Sequence, residues 1–251
     1  SRNDELGALS NSLEDMTQEL QKRISHAENF STDLVHEIRN PLTSLKSASE
    51  ILHETENTNQ RKKLIDILNH DVQRIERLIT DYSQILKDEV ALSKEKMKKI
   101  NLKMIVRSVV DDFNNIYEAK RGIKIILNDL NNQEEYIING IENRIEQIIA
   151  NLLDNSISFS EDNRKILVEI SKSEIENVIL RVVDEGKGFK EKNTKKIFDR
   201  FYSNRPDNFG EHSGLGLNIV KNLVDLHGAT IYASNNITQK GANVEIVFPK
   251  S

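Results

Sequence analysis

Hydrophobic positions at the start of the chain follow a seven-residue rhythm. Leu6, Leu9, Leu13, Met16, Leu20, Ile24, Ala27 and Phe30 recur at steps of three and four, which predicts a helix with a coiled-coil seam. Two steps of four adjoin between Met16 and Ile24, a stutter that locally relaxes the supercoil. Leu34, Ile38, Leu42, Leu45, Ala48, Ile51 and Leu52 carry the helix on to about residue 54. Pro41 falls inside this run and is expected to interrupt it, removing a backbone hydrogen bond and bending the axis. The polar residues 55–59 predict a turn. A second helix at about 60–88 presents Leu64, Ile67, Leu68, Val72, Ile75, Leu78, Ile79, Tyr82, Ile85 and Leu86. Two long helices with a short connection form an antiparallel hairpin, and one hairpin cannot bury this much apolar surface. Two copies in a four-helix bundle can, so a parallel homodimer is expected.

After a lysine-rich stretch at 91–99, read as a linker, the period changes. A helix at about 103–120 precedes the alternating Ile123, Ile125 and Leu127, then Tyr136-Ile137-Ile138. The helix at 140 to about 159 buries Ile141, Ile145, Ile148, Ile149, Leu152 and Leu153. Strands follow at 166–171 and 177–183, then a helix at 214–227 and strands at 229–234 and 243–248. Helices segregated from a mainly antiparallel sheet make an α+β sandwich. The expected order is a signalling coiled coil at 1–25, a helical hairpin at 26–90 and the sandwich at 100–251.

Composition narrows the function. With 251 residues, 37% of them apolar and 30% charged, the chain can bury a real core in one large or two ordinary domains. A net charge of −5 provides no electrostatic case for nucleic acid. Cysteine is absent, so disulfides and thiolate metal sites are excluded. No apolar run is long enough to span a membrane. The six histidines lack HExxH spacing.

Four patches carry candidate chemistry. In Val35-His36-Glu37-Ile38-Arg39-Asn40-Pro41-Leu42, His36 projects opposite the stripe of Leu34 and Ile38 and faces water. Asn40 shares its face, one turn on, and Glu37 is adjacent. Asn151 and Asn155 place two amides on one helix face beside Asp154, neutral oxygens suited to a hydrated Mg²⁺ that already has triphosphate ligands. Asp184-Glu185-Gly186-Lys187-Gly188 ends an apolar strand; a carboxylate there needs hydrogen bonds, and an adenine amino group supplies one. Gly214-Leu215-Gly216-Leu217 opens a helix, where glycines admit phosphate oxygens to backbone N–H groups. Between the glycine motifs lie about 25 residues, long enough for a lid or a disordered loop, and Phe198 and Phe201 within it make sense only if they dock somewhere. Each patch alone has an ordinary reading as a solvated face or a turn.

As an ordered set the motifs resemble the cytoplasmic core of a bacterial sensor histidine kinase: the H box at His36, the N box at 151–155, the G1 box at 184–188, the F box at 198–201 and the G2 box at 214–217. The resemblance implies a HisKA phosphotransfer hairpin and a GHKL-type ATP-binding domain. It implies that His36 is the phosphoacceptor, Glu37 the general base, and Asn40 the residue that positions water for phosphatase activity toward a response regulator. It implies adenine on Asp184 beside Gly186 and Gly188, and Mg²⁺ on Asn151 and Asn155. Phosphates would lie against Gly214, Leu215, Gly216 and Leu217, under a lid bearing Phe198 and Phe201. Ser158 and Ser203 stand where many relatives carry lysine and arginine, which leaves Arg205, Lys187 and Arg200 as candidate γ-phosphate cations. The implied partners are a second copy and the receiver domain of a response regulator.

Asp4-Glu5-Leu6-Gly7 and the stuttered seam resemble the last helix of a HAMP relay. That implies a transmembrane sensor half elsewhere in a longer inner-membrane protein, this part being its soluble cytoplasmic portion. The H box, Ser156-Ile157-Ser158-Phe159-Ser160 and Phe201-Tyr202-Ser203-Asn204-Arg205-Pro206 are similar to the ChvG/ExoS-like branch. Two rivals remain. A GHKL ATPase driving a clamp would need Asp154 to activate water, and has no use for the His36 patch. A nucleotide-sensing relay without kinase chemistry would not need Glu37, Asn151, Asn155 and the glycines together.

Overall fold

Helix α1 (Arg2–Glu54) is helical through Pro41, so the expected interruption does not occur. Pro41 is buried in the hairpin seam, where packing offsets the lost backbone bond. Asn57 starts α2 (Thr58–Leu92) by accepting hydrogen bonds from the backbone N–H groups of Asn59 and Gln60 at 3.0 and 3.2 Å. Arg61 donates to the carbonyls of Leu52 and Thr55, fastening the turn. The computed structural model describes residues 2–92, 95–132, 135–191, 193–200, 202, 214–236 and 240–250. They fall into two units, Ser1–Thr80 and Asp81–Ser251.

In the first unit the seam buries Pro41 and Ala48 from α1, with Leu34, Ile38 and Leu45 half-buried. Leu64, Asp71 and Leu78 supply it from α2. Leu42 departs from expectation at 52% exposed, because Pro41 occupies the seam position and Leu42 is turned about 100° from it. Val35, Leu42 and Ile51 on α1, and Ile65, Val72 and Ile79 on α2, form a second apolar set exposed in the single chain. Leu9, Leu13, Met16, Leu20 and Ile24 are exposed with them.

The second unit opens with β1 (Lys98–Asn101), which pairs antiparallel with β3 (Ile137–Gly140). Residues 98 and 99 were expected in a linker; their lysines are exposed while Ile100 and Asn101 turn inward. Asn101 also caps α3 (Leu102–Arg121), accepting from Lys103 N, and Gly122 at φ 65° ends that helix. Strand β2 (Lys124–Asp129) is followed by β3, α4 (Glu142–Phe159) and β4 (Lys165–Lys172), a crossover long enough to bring β2 and β4 together in parallel. Tyr136, expected in a strand, precedes β3; it is fully buried and its hydroxyl bonds the Asp129 carboxylate, which also holds Lys103 Nζ at 2.7 Å. Next come β5 (Val178–Asp184), a 3-10 turn (Thr194–Phe198), α5 (Gly216–Leu226), β6 (Thr230–Asn235) and β7 (Ala242–Phe248).

The five-stranded sheet runs β2-β4-β5-β7-β6, and every pairing but β2 with β4 is antiparallel. Alternate residues explain the burial. Ile166, Val168 and Ile170, Val178, Leu180 and Val182, and Val244, Ile246 and Phe248 share one core with Ile145, Ile149, Leu153, Val220 and Val224 from the helices. On the other face Arg181 lies directly between Glu169 and Glu245 in register and pairs with both, at 3.2 and 2.7 Å.

Candidate functional site

The hairpin presents the first group. His36 and Asn40 are exposed on α1, as their offset from the seam predicts. Glu37 lies nearer the seam, its side chain 25% exposed, and its Oε2 accepts from Arg74 Nη2 of α2 at 3.0 Å. Arg74 was not among the expected site residues. Its signal was a polar residue inside the apolar stripe of α2, between Asp71 and Leu78, where a charge needs a partner. The arrangement is an exposed imidazole next in sequence to a carboxylate that pairs with a guanidinium of α2.

The second group is built at the edge where β5, α4 and α5 end or begin. Asp184 terminates β5 and is 5% exposed. Its Oδ1 accepts from Gly186 N at 2.8 Å and from Ala242 N at 3.0 Å. Burial pushes its carboxyl above the ordinary range, and the N–H groups of Ala242 and Gly186 oppose that shift. The carboxyl is thus buried at the end of a strand with two backbone donors on one oxygen. Two glycines make the fit. A Cβ on Gly186 would stand 2.6 Å from the Phe159 carbonyl oxygen, and one on Gly241, at φ +145°, would stand 1.8 Å from that of Asp184. Gly241 lies 57 positions from Asp184 in the chain, so the sequence carried no sign of it.

Asn151 and Asn155 are half-buried on α4. The Asn151 side-chain nitrogen is buried without a hydrogen-bond partner, a donor suited to an acceptor such as a phosphate oxygen, whereas a cation would take the amide oxygens of this pair. The donor set suits a magnesium ion that shares its coordination with phosphates; among the described residues no cluster of three histidines or carboxylates could hold a metal instead. Leu215 is buried before α5, Gly214 has φ 73°, and Leu217 is half-buried. The N-cap of α5, Leu215, makes no side-chain cap bond, and a Cβ on Gly216 would meet open space. A cleft of about 330 Å³ opens beside Gly186, with Phe159, Arg164, exposed Lys187 and Lys240 on its walls. Ser158 donates to the Asp154 carbonyl at 2.6 Å, a bond within α4.

Phe198 corrects an expectation. It is 9% exposed and belongs to the core, with its carbonyl held by Asn218 Nδ2 of α5 at 2.9 Å. The apolar pair Ile197 and Phe198 is buried by a 3-10 turn packed on α5 rather than carried on a lid. Gly188, at φ 72°, stands next to Phe189, which Asn235 clamps through both backbone groups. Phe201, Ser203 and Arg205 lie outside the described residues, as does most of the expected lid.

Comparison with known proteins supplies the context. Residues 26–89 match the His Kinase A (phospho-acceptor) domain, and residues 140–251 match the histidine kinase-, DNA gyrase B-, and HSP90-like ATPase. The chain is 38% identical over 241 residues to the sensor protein ChvG of Rhizobium meliloti (strain 1021), covering 94% of this chain and 42% of that protein. It is 35% identical to ChvG of Agrobacterium fabrum, covering 96% and 41%. It thus spans about two fifths of the length of these relatives. The fold matches that of histidine kinase ThkA, solved in complex with the response regulator protein TrrA, with TM-score 0.65 and 24% identity over 92% of this chain and 64% of that one. No described helix is long and apolar enough to cross a membrane.

Proposed function

Because the chain belongs to the histidine kinases, joining a phospho-acceptor region to an ATPase region of their type, we propose that it phosphorylates His36 from ATP and passes the phosphoryl group to an aspartate of a response regulator. The observation that carries this reading is the exposed His36 beside a Glu37 carboxylate anchored by Arg74. In the first step a ring nitrogen of His36 bonds to the γ-phosphorus, the bond to the ADP oxygen breaks, and Glu37 draws the proton from the other ring nitrogen. In the second step the phosphoryl group leaves His36 for the receiver aspartate.

ATP would lie with its adenine amino group on the Asp184 carboxylate, beside Gly186 and Gly188, and with its phosphates at Gly214, Leu215, Gly216 and Leu217. Asn151 and Asn155 would hold Mg²⁺, which neutralises phosphate charge when bound. Lys187 and Arg205 are the candidate cations for the γ-phosphate, and Phe201 a lid residue. Asn40 would orient the water that hydrolyses the regulator's acyl phosphate. The phosphotransfer hairpin spans 26–90 and the ATP-binding domain 100–251.

Incubation with γ-labelled ATP tests this reading. The expected product is a labelled protein whose phosphate survives alkali and is lost in acid, as a phosphorylated histidine requires. Label-free protein that nevertheless hydrolyses ATP would support the clamp ATPase instead.

The protein acts as a homodimer in this reading. Val35, Leu42, Ile65, Val72 and Ile79, exposed in the single chain, are expected to complete a four-helix bundle with the same residues of a second copy. Light scattering should report twice the chain mass. A concentration-independent mass of 28.8 kDa would exclude the dimer.

A further inference from the structure

His227 has no part in the reading above, yet it is 5% exposed and both ring nitrogens are engaged. It directly follows α5, whose opening carries Gly216, and it packs on the N-terminus of α4, which carries Asn151 and Asn155. Its Nε2 lies 3.1 Å from the backbone nitrogen of Ile141. An amide N–H can only donate, so Nε2 is the bare acceptor nitrogen and Nδ1 carries the hydrogen. Nδ1 then donates to the Leu223 carbonyl at 2.7 Å. Ile141 is the cap residue of α4 and makes no side-chain cap bond, so the imidazole supplies an acceptor at that helix start. Gly140 admits the ring: a Cβ there would stand 3.2 Å from His227 Cδ2.

We propose that His227 is a positioning residue of the nucleotide site: it ties the end of α5 to the start of α4, holds the glycine turn and the asparagine pair in one arrangement, and releases them when it is protonated. This rests on the assignment of that site to ATP. Protonation puts a second N–H against the Ile141 N–H and leaves a buried donor without an acceptor.

The ionisable residues on the elements packed around the ring are Glu142, Arg144, Glu146 and Asp154 on α4, Lys221 and Asp225 on α5, and Lys98 and Lys99 on β1, of which Lys98 lies opposite Gly140. Arg144 lies 3.6 Å from Glu95, and Lys221 pairs with Asp225. Burial lowers the His227 pKa and the Leu223 carbonyl raises it by less. Below about pH 6.5 the unfolded chain therefore takes the proton first. The stabilising contribution of the neutral ring is complete above that pH and is lost as the pH falls toward the lowered folded value.

The test compares wild type with His227→Gln, whose amide oxygen can accept from Ile141 but does not titrate, and with His227→Phe, which accepts nothing. ATP affinity and ATP-free thermal unfolding are measured from about pH 8 to about pH 5. Wild type should lose about tenfold in affinity across this range beyond any loss in His227→Gln. Protonation of ATP and of Asp184 is common to both proteins and cancels. The Phe variant should bind ATP about tenfold more weakly than wild type at pH 8, with a lowered unfolding temperature. Parallel pH profiles for wild type and His227→Gln would overturn the proposal. Absence of ATP binding at pH 8 in wild type would overturn the nucleotide reading itself, and the unfolding profiles would then show separately whether the ring latches the two helices.

Discussion

His36→Ala is expected to abolish phosphate incorporation while leaving ATP affinity unchanged, since the proposed nucleophile and the proposed nucleotide-binding residues belong to different units of the fold. Glu37→Gln keeps size and polarity but removes the base. It should slow phosphorylation by about 10²–10⁴-fold, roughly 3–5 kcal/mol of barrier. Arg74→Ala leaves the carboxylate but frees it from the 3.0 Å ion pair, and should reproduce a smaller part of that loss through misplacement. Asn40→Ala should spare phosphorylation and weaken dephosphorylation of the regulator. A merely solvated helix face predicts quiet substitutions, each within about 0.5 kcal/mol of stability. Single-turnover labelling, with regulator dephosphorylation measured alongside, distinguishes the two views. Equal damage to one step by Glu37→Gln and Asn40→Ala would refute the division of labour.

The second large effect is a change of base preference at Asp184. The ionised carboxylate only accepts hydrogen bonds, so it suits the amino group of adenine and opposes the carbonyl of guanine. Asp184→Asn can still accept from Gly186 and Ala242 through its amide oxygen, which should preserve the turn. It loses a charge-assisted bond to adenine worth about 1.5–3 kcal/mol, roughly ten- to a hundred-fold in affinity. It gains a donor that guanine can use. Because burial raises the Asp184 pKa, acid should weaken ATP binding to wild type as the carboxyl takes up a proton, and the variant should lack this component. Titration with both nucleotides checks the prediction; wild type that binds ATP and GTP equally would contradict it.

Much of the fold was legible because local period and burial agree. The seam of α1, the alternation in β4, β5 and β7, and the outward face of His36 each follow from spacing alone. The elements that were misread are those where a tertiary partner decides. In β1, two exposed lysines concealed a strand that exists because β3 pairs with it. Phe198 looked like a lid residue because its burial depends on α5, which comes later in the chain. Leu42 was placed in the seam because the pattern could not show that Pro41 would occupy it. At the candidate site the motif residues were readable, whereas Arg74, Gly241 and His227 act through neighbours 37, 57 and 86 positions away. A single polar residue in an apolar stripe or a lone glycine announces that some partner exists, not which one.

The strand order has a consequence for synthesis. Strand β7 follows β6 in sequence yet lies between β5 and β6, and its first residue, Ala242, supplies one of the two N–H groups that hold Asp184. A nascent chain can form the α1–α2 hairpin from neighbouring segments as soon as α2 leaves the ribosome. The sheet cannot close until Ala242–Phe248 has emerged, and until then Val178, Leu180 and Val182 present an unpaired edge. In the proposed reading the Asp184 pocket therefore forms later than the phosphoacceptor hairpin, and a chain made only as far as β6 would lack the Ala242 N–H that steadies its carboxylate.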